Sequence, residues 1–160
     1  MAADATLTSA TAAVQAAPTA KTKLGNVETT PAHRVVVDTV TLTKALEVGD
    51  KFRVRLVQGG SKILPVLSDI IEATTASALT LDVGIYEVAA DRGLGTVVDA
   101  DILADGVDFA GSGVYTARPY DVPVTSINAE YWIVAEVKAV TGTAVAGETI
   151  DFYTAINSAN

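Results

Sequence analysis

Residues 51–57 read KFRVRLV, an alternation that puts Phe52, Val54 and Leu56 on one side and Lys51, Arg53 and Arg55 on the other. A two-residue repeat of this kind belongs to an extended strand with one buried face, and no helix satisfies it. Residues 79–88 (LTLDVGIYEV) repeat the pattern, with Leu79, Leu81, Val83 and Ile85 opposed to Thr80, Asp82, Gly84 and Tyr86. Residues 33–42, 131–140 and 149–156 are further strand-forming runs, while Pro65 confines residues 63–67 to a sheet edge or an irregular crossing. Turn residues separate the runs at 47–50 (EVGD), 58–61 (QGGS), 92–95 (RGLG) and 141–148 (TGTAVAGE). The chain is 49% hydrophobic but only 6% aromatic, so its apolar content is small and β-branched, which favours strands over a helical bundle. Six or so strands with little helical periodicity predict an all-β fold, a β-sandwich or jelly roll. One short helix is expected at residues 99–106 (DADILADG), where Asp99 can cap the first turn and Gly106 can close the last.

Ahead of this pattern, residues 1–32 contain ten Ala and seven Thr and few large apolar side chains. Such a segment cannot order itself by burying its own core. The chain therefore divides into an extended Thr/Ala-rich arm, 1–32, with at most a helical turn within residues 9–17, and a β-sandwich domain, 33–160. Something outside the arm is expected to hold it.

The formal net charge of -8 is placed mostly in residues 92–160, which carry nine acidic and three basic side chains. An acidic domain repels phosphate backbones, so neither nucleic acid nor an anionic membrane is an expected partner. With no cysteine there is neither a disulfide nor a thiolate metal site. The N-terminus has no secretory pattern and no run reaches the length of a membrane span, so the expectation is a soluble chain made in a cytoplasm.

Candidate chemistry is sparse. Asp99, Asp101, Asp105 and Asp108 form an acidic run, and hard cations want converging carboxylates. The run fails the EF-hand spacing, with Leu103, Ala104 and Ala110 where an Asx, a Gly and a Glu belong, so capping and solvated carboxylates are the plainer reading. Asp99, Asp101 and Asp105 remain weak metal candidates. His33, the single histidine, has no accompanying nucleophile motif, and Gly93-Leu94-Gly95 lacks the rest of a phosphate loop. Tyr131 and Trp132 could form a sugar-stacking pair, but a pair inside an apolar strand is more often core. No catalytic constellation and no cofactor site is expected. The basic row Lys51, Arg53, Arg55 is either a solvated strand face or a contact for an acidic protein surface, such as the C-terminal half of a neighbouring copy.

Residues 49–57 (GDKFRVRLV), 60–67 (GSKILPVL), 78–84 (ALTLDVG), 99–105 (DADILAD) and 146–150 (AGETI) with Tyr153 together resemble small structural proteins of tailed bacteriophages. The resemblance lies in strand patterns and covers residues 35–156. It implies a non-enzymatic virion protein of the capsid decoration, or cement, type: a β-sandwich or jelly roll, trimeric, on the capsid surface, bound to the major capsid protein. The long arm departs from the pattern, and its role rests on the residues alone. An arm with little side-chain bulk can pair its backbone with a strand edge. Thr8, Val14, Lys21, Lys23 and Leu24 in the arm, with Lys51, Arg53 and Arg55, are the candidate partner-binding residues. The alternative is a carbohydrate- or host-binding module of a phage tail or surface, using Tyr131, Trp132 or Tyr86.

Overall fold

The computed structural model describes residues 6–8, 33–64, 68–74, 76–110, 113–117 and 129–157. They form ten strands: β1 (Thr6–Thr8), β2 (His33–Thr41), β3 (Lys51–Val57), β4 (Lys62–Ile63), β5 (Asp69–Thr74), β6 (Ala76–Val88), β7 (Leu94–Ala110), β8 (Gly113–Ala117), β9 (Tyr131–Gly142) and β10 (Thr149–Asn157). One sheet has the order β1-β3-β9-β6-β7 and the other β2-β10-β5-β8, with β4 beside β10. The antiparallel pairs are nested in the chain, β2 with β10, β3 with β9, β5 with β8 and β6 with β7. A long double ribbon with its tip at β6 and β7 has thus been rolled into two four-stranded layers, and β1 is added in parallel at one edge. Two packed sheets of four strands joined this way make a jelly roll.

β4 and β5 lie along the same side of β10, β4 against Ile156 and Asn157 and β5 against residues 149–153, so they act as one interrupted strand. The buried Ser68 repairs the gap: its Oγ accepts from the Ala155 N–H at 3.0 Å and donates to the Leu64 carbonyl at 3.0 Å. Pro65, expected at a sheet edge or an irregular crossing, lies outside the described residues.

The core fills the space between the layers with Val40, Phe52, Val54, Ile70, Leu79, Leu81, Val83, Ile133, Phe152 and their neighbours. A second cluster, Leu56, Tyr86, Trp132 and Val134, is separate from it. Leu56, Trp132 and Tyr86 stand directly opposite one another on β3, β9 and β6. Between them, the two clusters bury β9 on both faces from Tyr131 to Ala135.

Two expectations are overturned. The pairing of β3 with β9 shifts between Arg53 and Arg55, a bulge that breaks the strict alternation, and Arg55 is buried at 2% side-chain exposure. There it meets the fully buried Asp38 of β2, with Nε to Oδ2 at 2.6 Å and Nη2 to Oδ1 at 2.8 Å, a bidentate pair that ties one sheet to the other. The expected helix at 99–106 is also absent: among the described residues there is no helix, and this stretch lies within β7. Two steps along β6, from Val83 to Ile85, match five along β7, from Ala104 to Asp99. The excess bows β7 so closely over β6 that a Cβ on Gly84 would lie 2.2 Å from the Asp99 carbonyl oxygen. Gly106 does take a left-handed conformation, φ 63, but within this irregular ladder rather than at a helix end.

Removing one partner of a buried pair strands the other charge, so Asp38→Ala is expected to lower the unfolding free energy by about 3–5 kcal/mol. Asp38→Leu with Arg55→Met should recover most of that loss. Urea unfolding of the variants is the check, and a single-variant loss below about 1 kcal/mol would contradict the role given to the pair.

Candidate partner-binding surface

The arm's first described strand lies on the edge of β3. Thr6, Leu7 and Thr8 run parallel to Lys51, Phe52 and Arg53 in register, so backbone pairing brings Thr8 to the basic row. Of the other arm candidates, Val14, Lys21, Lys23 and Leu24 lie outside the described residues. The basic row itself does not form as a continuous face. Arg55 turns inward to Asp38, which removes it from any partner-facing surface. Lys51 and Arg53 remain half-buried and are engaged: Lys51 Nζ lies 3.5 Å from Glu136 of β9, and the Arg53 guanidinium sits 5.4 Å from the centre of the Trp132 ring.

From Glu136 a chain of alternating charge continues across the strands. Lys138 Nζ lies 3.7 Å from Glu136 and 3.3 Å from Asp82 of β6, and these carboxylates hold the ammonium's pKa above its ordinary value, the hydrogen bond to Asp82 being the largest cause. The Tyr86 hydroxyl donates to Glu136 at 3.1 Å, and burial together with that carboxylate pushes the phenol up to about 12.

Strand pairing gathers the acidic candidates differently from the sequence. Asp101 and Asp105 converge with Asp82, carboxylate oxygens within 4.8 Å of one another, while Asp99 hydrogen-bonds to Asp101. That bond and the neighbouring negative charges hold the Asp101 carboxyl above its usual range. Asp82 is already served by the Gly106 N–H at 2.8 Å and by Lys138, so this arrangement has an internal cation and fits a surface charge network better than a calcium site. Asp82 escaped the sequence reading because it lies some 20 residues away, on the strand next door.

The aromatic candidates point to no ligand. Trp132 is 0% exposed, with its Nε1 donating to the Gly93 carbonyl at 3.1 Å, and Tyr131 and Tyr86 are buried too. These rings are not available as a sugar-stacking platform, which corrects the basis of the carbohydrate reading. His33 begins β2, opposite Asn157 of β10.

One functional group was missed altogether. Glu72 of β5 stands opposite the core residue Ile150 and is 1% exposed. Its Oε1 accepts from the Thr74 N–H at 2.7 Å and from the Thr74 hydroxyl, and Oε2 is buried without a hydrogen-bond partner. Burial, reinforced by the nearby Glu148 carboxylate, pushes its pKa up from 4.5 to about 7 against the opposing Thr74 bond. The signal available in the sequence was slight: Glu72 follows Ile70 by two residues, which puts it on the same, inward face of a strand.

A carboxyl whose pKa is raised by folding is bound to its proton more tightly in the native chain than in the unfolded one. Its stabilising effect is complete below about pH 4.5 and is lost as pH rises through about 7. The thermal midpoint of the wild-type chain should therefore carry a falling component between about pH 4.5 and 7 that Glu72→Gln removes. Identical pH profiles for the two proteins would refute the assignment.

No protein-family model matches this sequence, and no curated protein does. Among solved structures the chain is similar to one described as the capsid of Ralstonia phage GP4, with a TM-score of 0.65 and 17% identity over 98% of this chain and 99% of that one. What the two share is the fold, from end to end.

Proposed function

We propose that this chain is a non-enzymatic virion structural protein that binds the outside of a phage capsid and cements neighbouring major capsid subunits. In this reading residues 33–160 are the jelly-roll body, residues 1–32 are the arm, and the body assembles as a trimer. The observation that carries the proposal is the end-to-end fold similarity to a phage capsid chain of nearly the same extent. The body is consistent with it: its large aromatic side chains are buried and its bidentate Arg55–Asp38 pair joins the two sheets. An arm rich in Ala and Thr gives a backbone-dominated contact that can follow a protein surface. Many such arms bound to a symmetric lattice gain strength together. The carbohydrate-binding alternative has no exposed aromatic pair at Tyr131 and Trp132 to support it.

Deleting residues 1–30 separates the two parts. The truncated chain is expected to keep a cooperative unfolding transition and to lose capsid binding by about 100-fold or more, in line with the gain that multivalent attachment gives. Co-sedimentation with undecorated capsids measures this. A truncated protein that binds with unchanged affinity would remove the arm from the account.

A further inference from the structure

A sheet edge is an unfinished ladder, and the edges of this jelly roll are treated unequally. In one sheet β3 carries β1 along its edge, while β7 at the far end is repeatedly shifted in register and bears Asp99, Asp101, Asp105 and Asp108. In the other sheet β8 is five residues long and β2 is nine. Covering, irregularity, charge and shortness all discourage pairing with another chain. β2 has none of them. It pairs with β10 from His33 to Thr41 without a register shift, and among the described residues no strand lies on its other side. Val35 and Val37 are 54% and 46% exposed, and Thr39 and Thr41 are exposed on the same face. The one charged residue between 35 and 41, Asp38, turns inward to Arg55. We propose that β2 pairs with β2 of a second copy, antiparallel about a two-fold axis at Val37, so that two four-stranded sheets become one of eight strands.

The partner such an edge accepts is a strand equally long, regular and free of outward charge, and β2 itself meets that description. Inner and outer faces of the two copies match only if the axis passes through a residue, since a one-residue slip exchanges the faces. Val37 is the midpoint of His33–Thr41, so an axis there pairs all nine residues: Val37 with its own copy, Val35 with Thr39 and His33 with Thr41. An axis at Asp38 would set two carboxylates opposite one another, and one at Val36 would leave Val40 and Thr41 beyond the partner strand. The Val37 register also gathers the exposed β-branched side chains into cross-strand pairs.

Charge selects the same contact. With a net charge of -8, most surfaces of two copies repel. β2 lies over β3, to which the Asp38–Arg55 pair ties it, and the acidic β7 is three strands further across the other sheet, about 14 Å at the usual spacing. A two-fold axis at β2 therefore places the acidic edges at opposite ends of the joined molecule. The contact is isologous and closes with two copies. It is distinct from a grouping of bodies in threes, where it would join one group to the next, and it does not depend on attachment to a capsid.

The absence of cysteine makes the test clean. Full-length Val37→Cys, Val35→Cys and Thr39→Cys chains are oxidised without unfolding at micromolar concentration. Directly opposed strand positions fall within disulfide distance, whereas Val35 stands four residues, about 14 Å, from Val35 of the other copy. The pairing predicts a two-chain product from Val37→Cys alone, none from Val35→Cys alone, and one from Val35→Cys mixed with Thr39→Cys. In parallel, Val37→Lys puts a charge on the exposed edge and is expected to halve the assembly mass found by sedimentation equilibrium while keeping a cooperative unfolding transition. A Val37→Cys chain that stays single, a Val35→Cys chain that crosslinks as readily, or an unchanged mass for Val37→Lys would each overturn the proposal. If Val37→Lys loses capsid co-sedimentation at unchanged mass, the edge belongs to a capsid subunit and the pairing of copies is equally overturned. Arm deletion leaves β2 intact, so failure of this contact is distinguishable from failure of the capsid reading.

Discussion

Everything in this fold turns on how two sheets with small, β-branched inner side chains are held in one alignment, and the Arg55–Asp38 pair is the specific device. Apolar packing of Val, Leu and Ile between layers is strong but tolerant of sliding, because similar side chains can exchange places. A bidentate guanidinium–carboxylate contact at 2.6 and 2.8 Å inside that layer tolerates almost none. Since β2 and β3 belong to different sheets and lie at the open end of the nested ribbon, fixing one over the other also sets the position of their partners, β10 and β9. The desolvation of two charges is the cost of that alignment, which is why loss of a single partner matters more than loss of both.

The same bulge that delivers Arg55 to the interior determines what is left outside. A one-residue shift in a strand exchanges its faces, so the basic row written in the sequence becomes two outward cations and one structural one. Those two are taken up by Glu136 and by the ring of Trp132, and Asp82 of β6 is met by Lys138. The surface beside the arm strand is thus an internally balanced network. A surface of this kind suits contact through backbone pairing better than through recognition of one charged ligand.

Much of the architecture was legible, and the reasons are local. The bounds of β3 and most of β6 follow from period-two alternation, and β9 and β10 follow from their strand-forming runs. The turn at residues 47–50 is signalled by Gly49, which has φ 93. What failed did so for a shared reason. Asp99 and Gly106 carry the chemistry of helix ends, yet the same residue types serve a bowed strand, where Gly supplies a positive φ and Asp bonds nearby amides. Only pairing with β6, some 20 residues earlier, decides between the two. The inward turn of Arg55, the gathering of Asp82 with Asp101 and Asp105, and the strand β5 with its buried Glu72 likewise depend on neighbours distant in sequence. The surface candidates were the least legible part: Lys51 and Arg53 face outward as expected, but their partners come from β9.

The proposed place of this jelly roll, on the capsid surface and held by its arm, is tested by a cryo-electron microscopy reconstruction of capsids carrying the full-length chain. Two-sheet bodies are expected on the outer surface, grouped in threes, with the segment preceding residue 33 traceable onto adjacent major capsid subunits. Bodies found inside the shell or only on the tail, or external bodies whose N-terminal segments touch no capsid subunit, would contradict it.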